Sequence, residues 1–527
     1  MDALHLSADT PLPNDVATLQ RLVRELLAEV ARLRAENAAL QAKLDAALKH
    51  RFGRRSERRP RPQRPKQDDK PAPKHHPHGR AALPAHLERR EVVLDLSEAE
   101  KLCGGCGRPR RCIGTQTAEQ LDLEPARFFV RRTIKKSYAC PFCDPATVPA
   151  EQRLQSAGPA QVGPLAKGLC GPGLLAHVIV AKFADHVPLH RLAGQLSRSG
   201  VGLARSTLGG WLSGAAALLG PLVGLMHQRL LCARVLHGDD TSVKLRVEGA
   251  DRTTKAHLWV CIGDTDYPYA VFDFTADYTA TGPEQFLAGY RGYLQADALA
   301  QYEGLYGPDR VQHCCCWAHA RRKFVAAAEG GEERANGALE LIRQLYAIER
   351  ELPPLLPPGD GPLVSQQRLQ REEQRRALRQ QRAAPVLAEL KGWLEEQRPL
   401  ALPKSVLGQA IGYASNNWEA LGRYLEQGYL AIDNNLSERT LRAVALGRNN
   451  WGQLGSASGG RTAAVLYTMV ATCKHLGMDP FVYLRETLPG LYALGEKPSA
   501  EQLLDWLPDR WLLRRGRDSP AAAAGAG

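Results

Sequence analysis

Apolar side chains fall into three regimes along the chain: a heptad stretch, helical stretches, and a block of strand-like alternation. Val16, Val23, Val30, Asn37 and Leu44 recur every seven residues, and Leu19, Leu26, Leu33 and Leu40 form a second series offset by three. The two series fill the a and d positions of a coiled coil, where valine at a and leucine at d favour two parallel strands and one asparagine at a fixes register. Glu29 at g and Arg34 at the next e can pair across such a dimer. The spacing predicts a dimerisation zipper over 15–50, the alternative being one amphipathic helix packed on its own chain.

From Leu174 to Leu218 the period is helical. One helix covers Leu174 to Val180, a second starts at Pro188, Gly200 and Gly202 punctuate, and Ser206 and Thr207 open a third. Helix, glycine turn and a Ser/Thr-capped helix outline a helix-turn-helix. Residues 164–220 are therefore expected to be a helical DNA-binding region, although any small helical domain shares that outline. The next block alternates as strands do: Arg234 to Val247, Ala256 to Ile262 and Tyr269 to Phe274, then a helix at Pro283 to Leu287, a strand ending at Asp297, and a strand from Val311 to Cys316. Three meander strands, a helix and two more strands follow the order of a ribonuclease H-like core, in which the first and fourth strands are neighbours. That core is expected over 232–329 and 426–462, interrupted at 330–425 by a helical insertion broken at Pro353-Pro354 and Pro357-Pro358-Gly359. A C-terminal helical region over 463–515 and a disordered Ala/Gly tail after Pro520 complete a multidomain chain of mixed α+β and α/β class.

Charge changes the picture of the partner. The 527 residues hold 69 Lys and Arg against 56 Asp and Glu, a formal net charge of +13, which suits a polyanion. Much of the excess lies in 51–90, where Arg54, Arg55 and Arg58 sit among prolines and histidines. Such a segment has too little apolar surface to fold and reads as a flexible basic linker that contacts DNA, or as a merely solvated tether. No stretch approaches the roughly 20 unbroken apolar residues of a membrane span, and Met1-Asp2-Ala3-Leu4-His5 lacks the order of a signal peptide. A cytoplasmic protein without membrane association is expected.

Of the 12 cysteines, Cys103 and Cys106 form one Cys-x-x-Cys pair and Cys140 and Cys143 another, around a segment rich in β-formers. Two thiolate pairs on tight knuckles are what tetrahedral, structural Zn²⁺ needs, so 91–150 is expected to be a zinc-binding module. Cys112 is an extra or substitute ligand in that reading, and a redox Cys-x-x-Cys is the competing one. Cys314, Cys315 and Cys316 are adjacent, which suits metal binding or reduced buried thiols and not a secreted disulfide framework.

Three acids carry the candidate chemistry. Asp239 interrupts an apolar strand, Asp297 closes another, and Glu438 follows an Asp433-Asn434-Asn435 cluster that reads as a helix start. Two strand carboxylates and one helix carboxylate can hold a pair of Mg²⁺ or Mn²⁺ ions at a phosphodiester. Each acid also has a plainer reading. Glu438 fits the N3 position of a capping box with Asn435 as N-cap, Asp239 and Asp240 fit a strand end, and Asp297 fits an N-cap. Alternation turns Asp240 to the face opposite Asp239. Cys316 and His319 are expected to support the acids. Arg321, Arg322, Lys323, Arg439, Arg442 and Arg448 are candidate phosphate contacts, against ordinary helix-surface charge.

These segments together resemble the transposase of the insertion sequence 66 family. The motifs are Arg51-Phe52-Gly53-Arg54-Arg55-Ser56-Glu57-Arg58, the two cysteine pairs, His237-Gly238-Asp239-Asp240-Thr241 and Leu294-Gln295-Ala296-Asp297. Cys316-Trp317-Ala318-His319, Asp433 to Arg439 and Gly447-Arg448-Asn449-Asn450-Trp451 continue the likeness. Asp240 stands where the family usually has glutamate, and Ala298-Leu299 where it has Gly-Tyr. The resemblance implies a DDE-type enzyme of the bacterial cytoplasm, nucleoid-associated when bound to DNA. Its two Mg²⁺ or Mn²⁺ ions would be held by Asp239, Asp297 and Glu438, its partners would be insertion-sequence ends and target DNA, and it would act as a homodimer or higher oligomer, with accessory proteins left open. A non-catalytic zinc and zipper DNA-binding regulator, or a nuclease or resolvase of the same fold, are the other readings. The cysteine spacing predicts about one tightly held zinc per chain. Metal analysis of the purified protein checks this: the zinc should be lost from the Cys103→Ser/Cys140→Ser variant, and unchanged zinc would refute the module.

Overall fold

The computed structural model describes residues 15–52, short segments at 128–131, 137–139, 146–147, 154–156 and 164–165, and residues 170–517 except 248, 250–251 and 358–361. The predicted zinc ligands Cys103, Cys106, Cys140 and Cys143, together with Cys112, Arg54, Arg55 and Arg58, lie outside the described residues. Residues 1–53 and 133–527 belong to one compact unit and 54–132 to another. Helix α1 (Val16–Phe52) starts at Asp15, whose carboxylate accepts the N–H groups of Ala17 and Thr18. Its heptad side chains Val16, Val23, Leu26, Val30, Leu33 and Leu40 are exposed, so the stripe is not buried against its own chain. Within this single helix Glu29 pairs with Arg32 at 2.6 Å.

Strands β1 (Ser137–Ala139) and β2 (Leu154–Ser156) pair antiparallel. The helical stretch that follows comprises α2 (Pro172–Phe183), α3 (Leu189–Arg198) and α4 (Arg205–Leu230). Gly200, at φ 81, takes the left-handed turn that ends α3, and Val201 N–H returns to Leu196 O at 3.0 Å. The N-cap of α4 is Ala204, which makes no side-chain cap, so the predicted Ser/Thr cap is corrected. Ser206 and Thr207 are instead exposed in its first turn. Among the described residues α4 is long and apolar enough to cross a membrane, correcting the expectation of no such segment. Leu208, Leu212, Leu219, Leu222 and Met226 are buried in the core it shares with the main sheet, as in a core helix.

The main sheet has the order β5-β4-β3-β6-β7, formed by β3 (Val235–Leu245), β4 (Thr254–Ile262), β5 (Ala270–Thr275), β6 (Tyr293–Ala296) and β7 (Gln312–Cys315), with α5 (Thr281–Phe286) between β5 and β6. β3, β4 and β5 pair antiparallel; β3, β6 and β7 pair parallel. The two sheet edges are covered. On β5, the N–H groups of Ala270 and Phe272 donate to Thr472 and Thr468 of α12 (Ala457–His475), and on β7 Arg423 donates to His313 O.

After α6 (Trp317–Glu329) the insertion forms α7 (Ala335–Glu351), α8 (Pro362–Gln397), α9 (Val406–Asn416) and α10 (Trp418–Gly422). Its apolar faces join the buried Cys314 and Cys315 in a second hydrophobic cluster. The chain then returns through α11 (Asn435–Trp451), α12, α13 (Pro480–Ala493), α14 (Ala500–Leu504) and α15 (Pro508–Arg517). Arg379 of α8 is fully buried, yet its donors all have partners. It forms a fork with Glu349 at 2.7 and 2.8 Å and donates to the carbonyls of Tyr424, Gln427 and Leu430 at 2.8 Å. This fixes the turn that leads into α11. Replacing Arg379 with Ala removes the donor of three carbonyls and leaves the half-buried Glu349 only the ion pair with Arg375 at 3.7 Å, and should cost about 3–5 kcal/mol of stability. Urea unfolding of Arg379→Ala checks the value, and a loss within ~0.5 kcal/mol of zero, ordinary for a surface change, would contradict it.

Candidate active site

Parallel pairing of β3 with β6 runs through Val235↔Tyr293, Leu236↔Leu294 and His237↔Gln295. Two residues beyond that last pair each segment carries its acid, Asp239 on β3 and Asp297 just past β6, on the same side because side chains alternate. Residue 238 is glycine, and a Cβ there would lie 2.9 Å from Leu294 Cδ1, so a larger residue would displace that leucine side chain.

Glu438 arrives from α11, whose N-cap is Asn434 and not Asn435. Glu438 is therefore N4, its N–H reaching Asn434 O at 3.4 Å, and the capping-box reading is corrected. The side chain of Asn434 is buried and ties the helix to β3. Its amide donates to Gly238 O at 2.7 Å, and its oxygen faces His237 Nδ1 at 3.2 Å. Burial pushes His237 down to about 4, so the neutral ring donates from Nδ1 to that oxygen. The Asn434 N–H donates to Cys316 Sγ at 3.2 Å. Burial also raises the Cys316 thiol to about 11, which keeps it neutral.

Asp297 is no N-cap either: the short 3-10 turn after it, Ala300–Leu305, is capped by Leu299. Asp297 Oδ1 accepts the Ala298 N–H at 2.8 Å and the Tyr413 hydroxyl of α9. His319, in the first turn of α6, places Nε2 3.6 Å from Asp297 Oδ2 and 3.4 Å from Glu438 Oε1. Its Nδ1 is buried without a partner. Arg322 donates to Glu438 at 3.2 Å. Asp239 Oδ1 accepts the Asp240 N–H at 2.8 Å. Burial raises the Asp239 carboxyl to about 7, with further contributions from the charges of Asp240, Glu438 and Asp297.

Asp240 turns elsewhere. Its Oδ2 lies 2.5 Å from His257 Nδ1, and its Oδ1 accepts the Tyr278 hydroxyl at 3.3 Å, with Tyr278 stacked on His257. Sequence reasoning missed Asn434, Tyr413, His257 and Tyr278 as members of this constellation. For Tyr413 and Tyr278 no local signal existed, whereas Asn434 was visible inside the Asp/Asn cluster.

The candidate phosphate contacts divide. Arg321, Arg322 and Lys323 are exposed on α6 near the acids, with Lys323 over the Tyr413 ring at 4.7 Å. Arg439 and Arg442 are exposed on α11. Arg448 binds β3 instead, donating to Thr241 Oγ1 at 2.8 Å and Ser242 O at 2.5 Å.

Among the described residues no three His, Cys, Asp or Glu side chains are drawn into a ready-made metal cluster. The donor chemistry nevertheless suits a hard divalent cation: Asp297 and Glu438 both approach His319, Asp239 lies within electrostatic reach of both, and a cation would relieve the burial and the like charge that raise its carboxyl.

Residues 167–462 match the Transposase IS66 family, and residues 100–144 match the zinc-finger binding domain of transposase IS66. The chain belongs to the Transposase IS66 family. It is similar to the uncharacterised protein y4hP of Sinorhizobium fredii, 30% identical over 455 residues that make up 82% of this chain and 77% of that protein. It is also similar to y4jD of the same organism, uncharacterised as well, 31% identical over 442 residues, 81% of each. Membership implies transposase-type action on DNA, and the zinc-finger match covers all four predicted thiolate ligands.

A carboxyl raised in the folded state favours its protonated form. The folded transposase therefore loses stability as pH rises from the ordinary aspartate value of 3.8 toward about 7. Without divalent metal, Asp239→Asn should melt higher than the parent at pH 8, by up to a few kcal/mol at about 1.4 per unit, and match it at pH 4. Thermal melts in EDTA test this, and an equal difference at both pH values would contradict it.

Proposed function

We propose that this protein is a DDE-type DNA transposase that binds insertion-sequence ends and carries out metal-dependent cleavage and strand transfer. The observation that carries the reading is the meeting of Asp297 and Glu438 at His319, with Asp239, from a third segment, within electrostatic reach of both. The sheet order, with the first and fourth strands parallel neighbours, supports a ribonuclease H-like core. The exposed heptad stripe of α1 supports a parallel coiled-coil dimer. The exposed first turn of α4 supports groove contact by a helix-turn-helix-like region.

Two divalent ions, Mg²⁺ or Mn²⁺, held by Asp239, Asp297 and Glu438 would supply Lewis-acid activation of the attacking oxygen and charge neutralisation at the leaving one. The chain's own side chains prepare that site. The Tyr413 hydroxyl and Ala298 N–H orient Asp297, and Arg322 and His319 orient Glu438. The anchored backbone around Gly238 aims Asp239. Arg321, Arg322 and Lys323 on one side, and Arg439 and Arg442 on the other, offer cations to the phosphates of a bound strand. The reaction runs in two stages: hydrolysis frees a 3′-hydroxyl, and that hydroxyl then attacks a target phosphodiester in line. No covalent protein intermediate is needed.

Asp239→Asn, Asp297→Asn and Glu438→Gln should each abolish cutting of labelled end-sequence DNA in Mg²⁺ while leaving binding nearly unchanged, since the amide keeps the shape and loses the charge. Asp240→Asn should cost far less, because Asp240 is held by His257 and Tyr278. Cutting without strand joining in the parent protein would assign a nuclease, binding without cutting a regulator, and normal cutting by all four variants would end the catalytic reading.

A further inference from the structure

A cleft of about 340 Å³ lies between α11, α12 and the C-terminal end of α2. On α11 it is lined by Leu436, Arg439, Thr440, Arg442, Ala443 and Leu446, a face beside that of Glu438, with Arg442 one turn after Glu438. Its floor is apolar, with buried Phe183, Phe272 and Tyr467. Its rim is cationic: Arg439, Arg442, Lys474 and His475 are exposed there, and no Asp or Glu is among the lining residues. His186, also in the lining, sits at φ 61, an unusual conformation for a residue with a Cβ, and its Nδ1 is buried without a partner. Lys474 holds that turn by donating to Ala184 O at 3.2 Å. Burial and the Lys474 charge push the His186 imidazole below its ordinary value, leaving a neutral ring that can donate or accept by choice of tautomer.

An apolar floor, a cationic rim and a hydrogen-bonding nitrogen without a partner describe a ligand with a flat apolar body, a polar edge and a phosphate. An intact duplex offers its phosphates outward but keeps its base faces stacked inside, whereas an unpaired nucleotide offers both. The volume is at the small end of the range of roughly 300–1,000 Å³ for small-ligand sites. We propose that this cleft takes one unstacked nucleotide of a bound DNA strand, its base on the apolar floor with an edge toward His186 Nδ1 and its phosphates on Arg439, Arg442 and Lys474. This inference rests on the reading of the chain as acting on DNA.

The test uses the full chain carrying Glu438→Gln, so that DNA is bound and not cut, with a forked duplex bearing 2-aminopurine in its unpaired arm and the same sequence fully paired. The forked DNA should bind roughly tenfold more tightly, the size of one base–aromatic stack, with a change in 2-aminopurine fluorescence. Ala443→Trp, which fills the cleft, should remove the preference and leave paired-duplex binding unchanged. Leu446→Glu, at an exposed rim position, provides the second variant should Ala443→Trp not fold, as judged by thermal melting. Equal affinity for the two DNAs, or a preference that survives in the folded variants, would overturn the proposal. Displacement of the fork by poly-glutamate as readily as by oligo(dT) would overturn it in favour of an acidic protein partner. Cutting by the chain with Glu438 intact is measured on the same DNA. Cutting without fork preference therefore removes the cleft alone, and fork preference without cutting removes the catalytic reading alone.

Discussion

The buried side chain of Asn434 is the tie on which the site depends. Asp239 and Asp297 are brought near each other by the hydrogen bonds of one parallel strand pair, but Glu438 reaches them only after the chain has left the sheet, built five α-helices and returned. Asn434 joins that return to β3 through Gly238 O and His237, and to the end of β7 through Cys316 Sγ. All three contacts are buried, so a side chain that could not reproduce them would leave buried polar groups unsatisfied. Register between helix and sheet is thereby held by polar groups with defined directions, which apolar packing alone does not provide.

The helical insertion participates in the same arrangement. Tyr413 sends its hydroxyl to Asp297, Arg423 covers the exposed carbonyl edge of β7, and Arg379 gathers the carbonyls of the turn before α11. A guanidinium suits that last position because its planar fork can meet Glu349 on one side and three backbone oxygens on the other, with no donor left over. The insertion and the strands also share a hydrophobic cluster that includes Cys314, Cys315 and Trp317. Insertion and sheet thus share one hydrophobic cluster beside Asp297.

Electrostatics works against this geometry. Burial is the main cause of the elevated Asp239 carboxyl, and the charges of Asp240, Glu438 and Asp297 add to it. The surrounding residues limit the charge: Arg322 and His319 face Glu438, and His257 and Tyr278 draw Asp240 away from the cluster.

The sequence by itself determined the heptad helix, every strand of the main sheet and the insertion with its proline breaks, because periodicity and turn chemistry are set by neighbours a few residues apart. The same local logic misassigned several details. It gave Asn435 the cap that Asn434 holds, gave α4 a Ser/Thr cap where Ala204 stands, missed that α4 is long and apolar enough to cross a membrane, and offered Asp297 as an N-cap when a strand end and a distant tyrosine hold it. Only the tertiary structure decided the partners: Asn434 with Gly238, Tyr413 with Asp297, Arg448 with β3, and His257 with Asp240. Most of these contacts join residues more than a hundred positions apart, and His257 with Asp240 depends on the register of a strand pair. Which groups meet follows from how packed elements return to one another in space, and no local pattern of hydrophobic and polar residues encodes that.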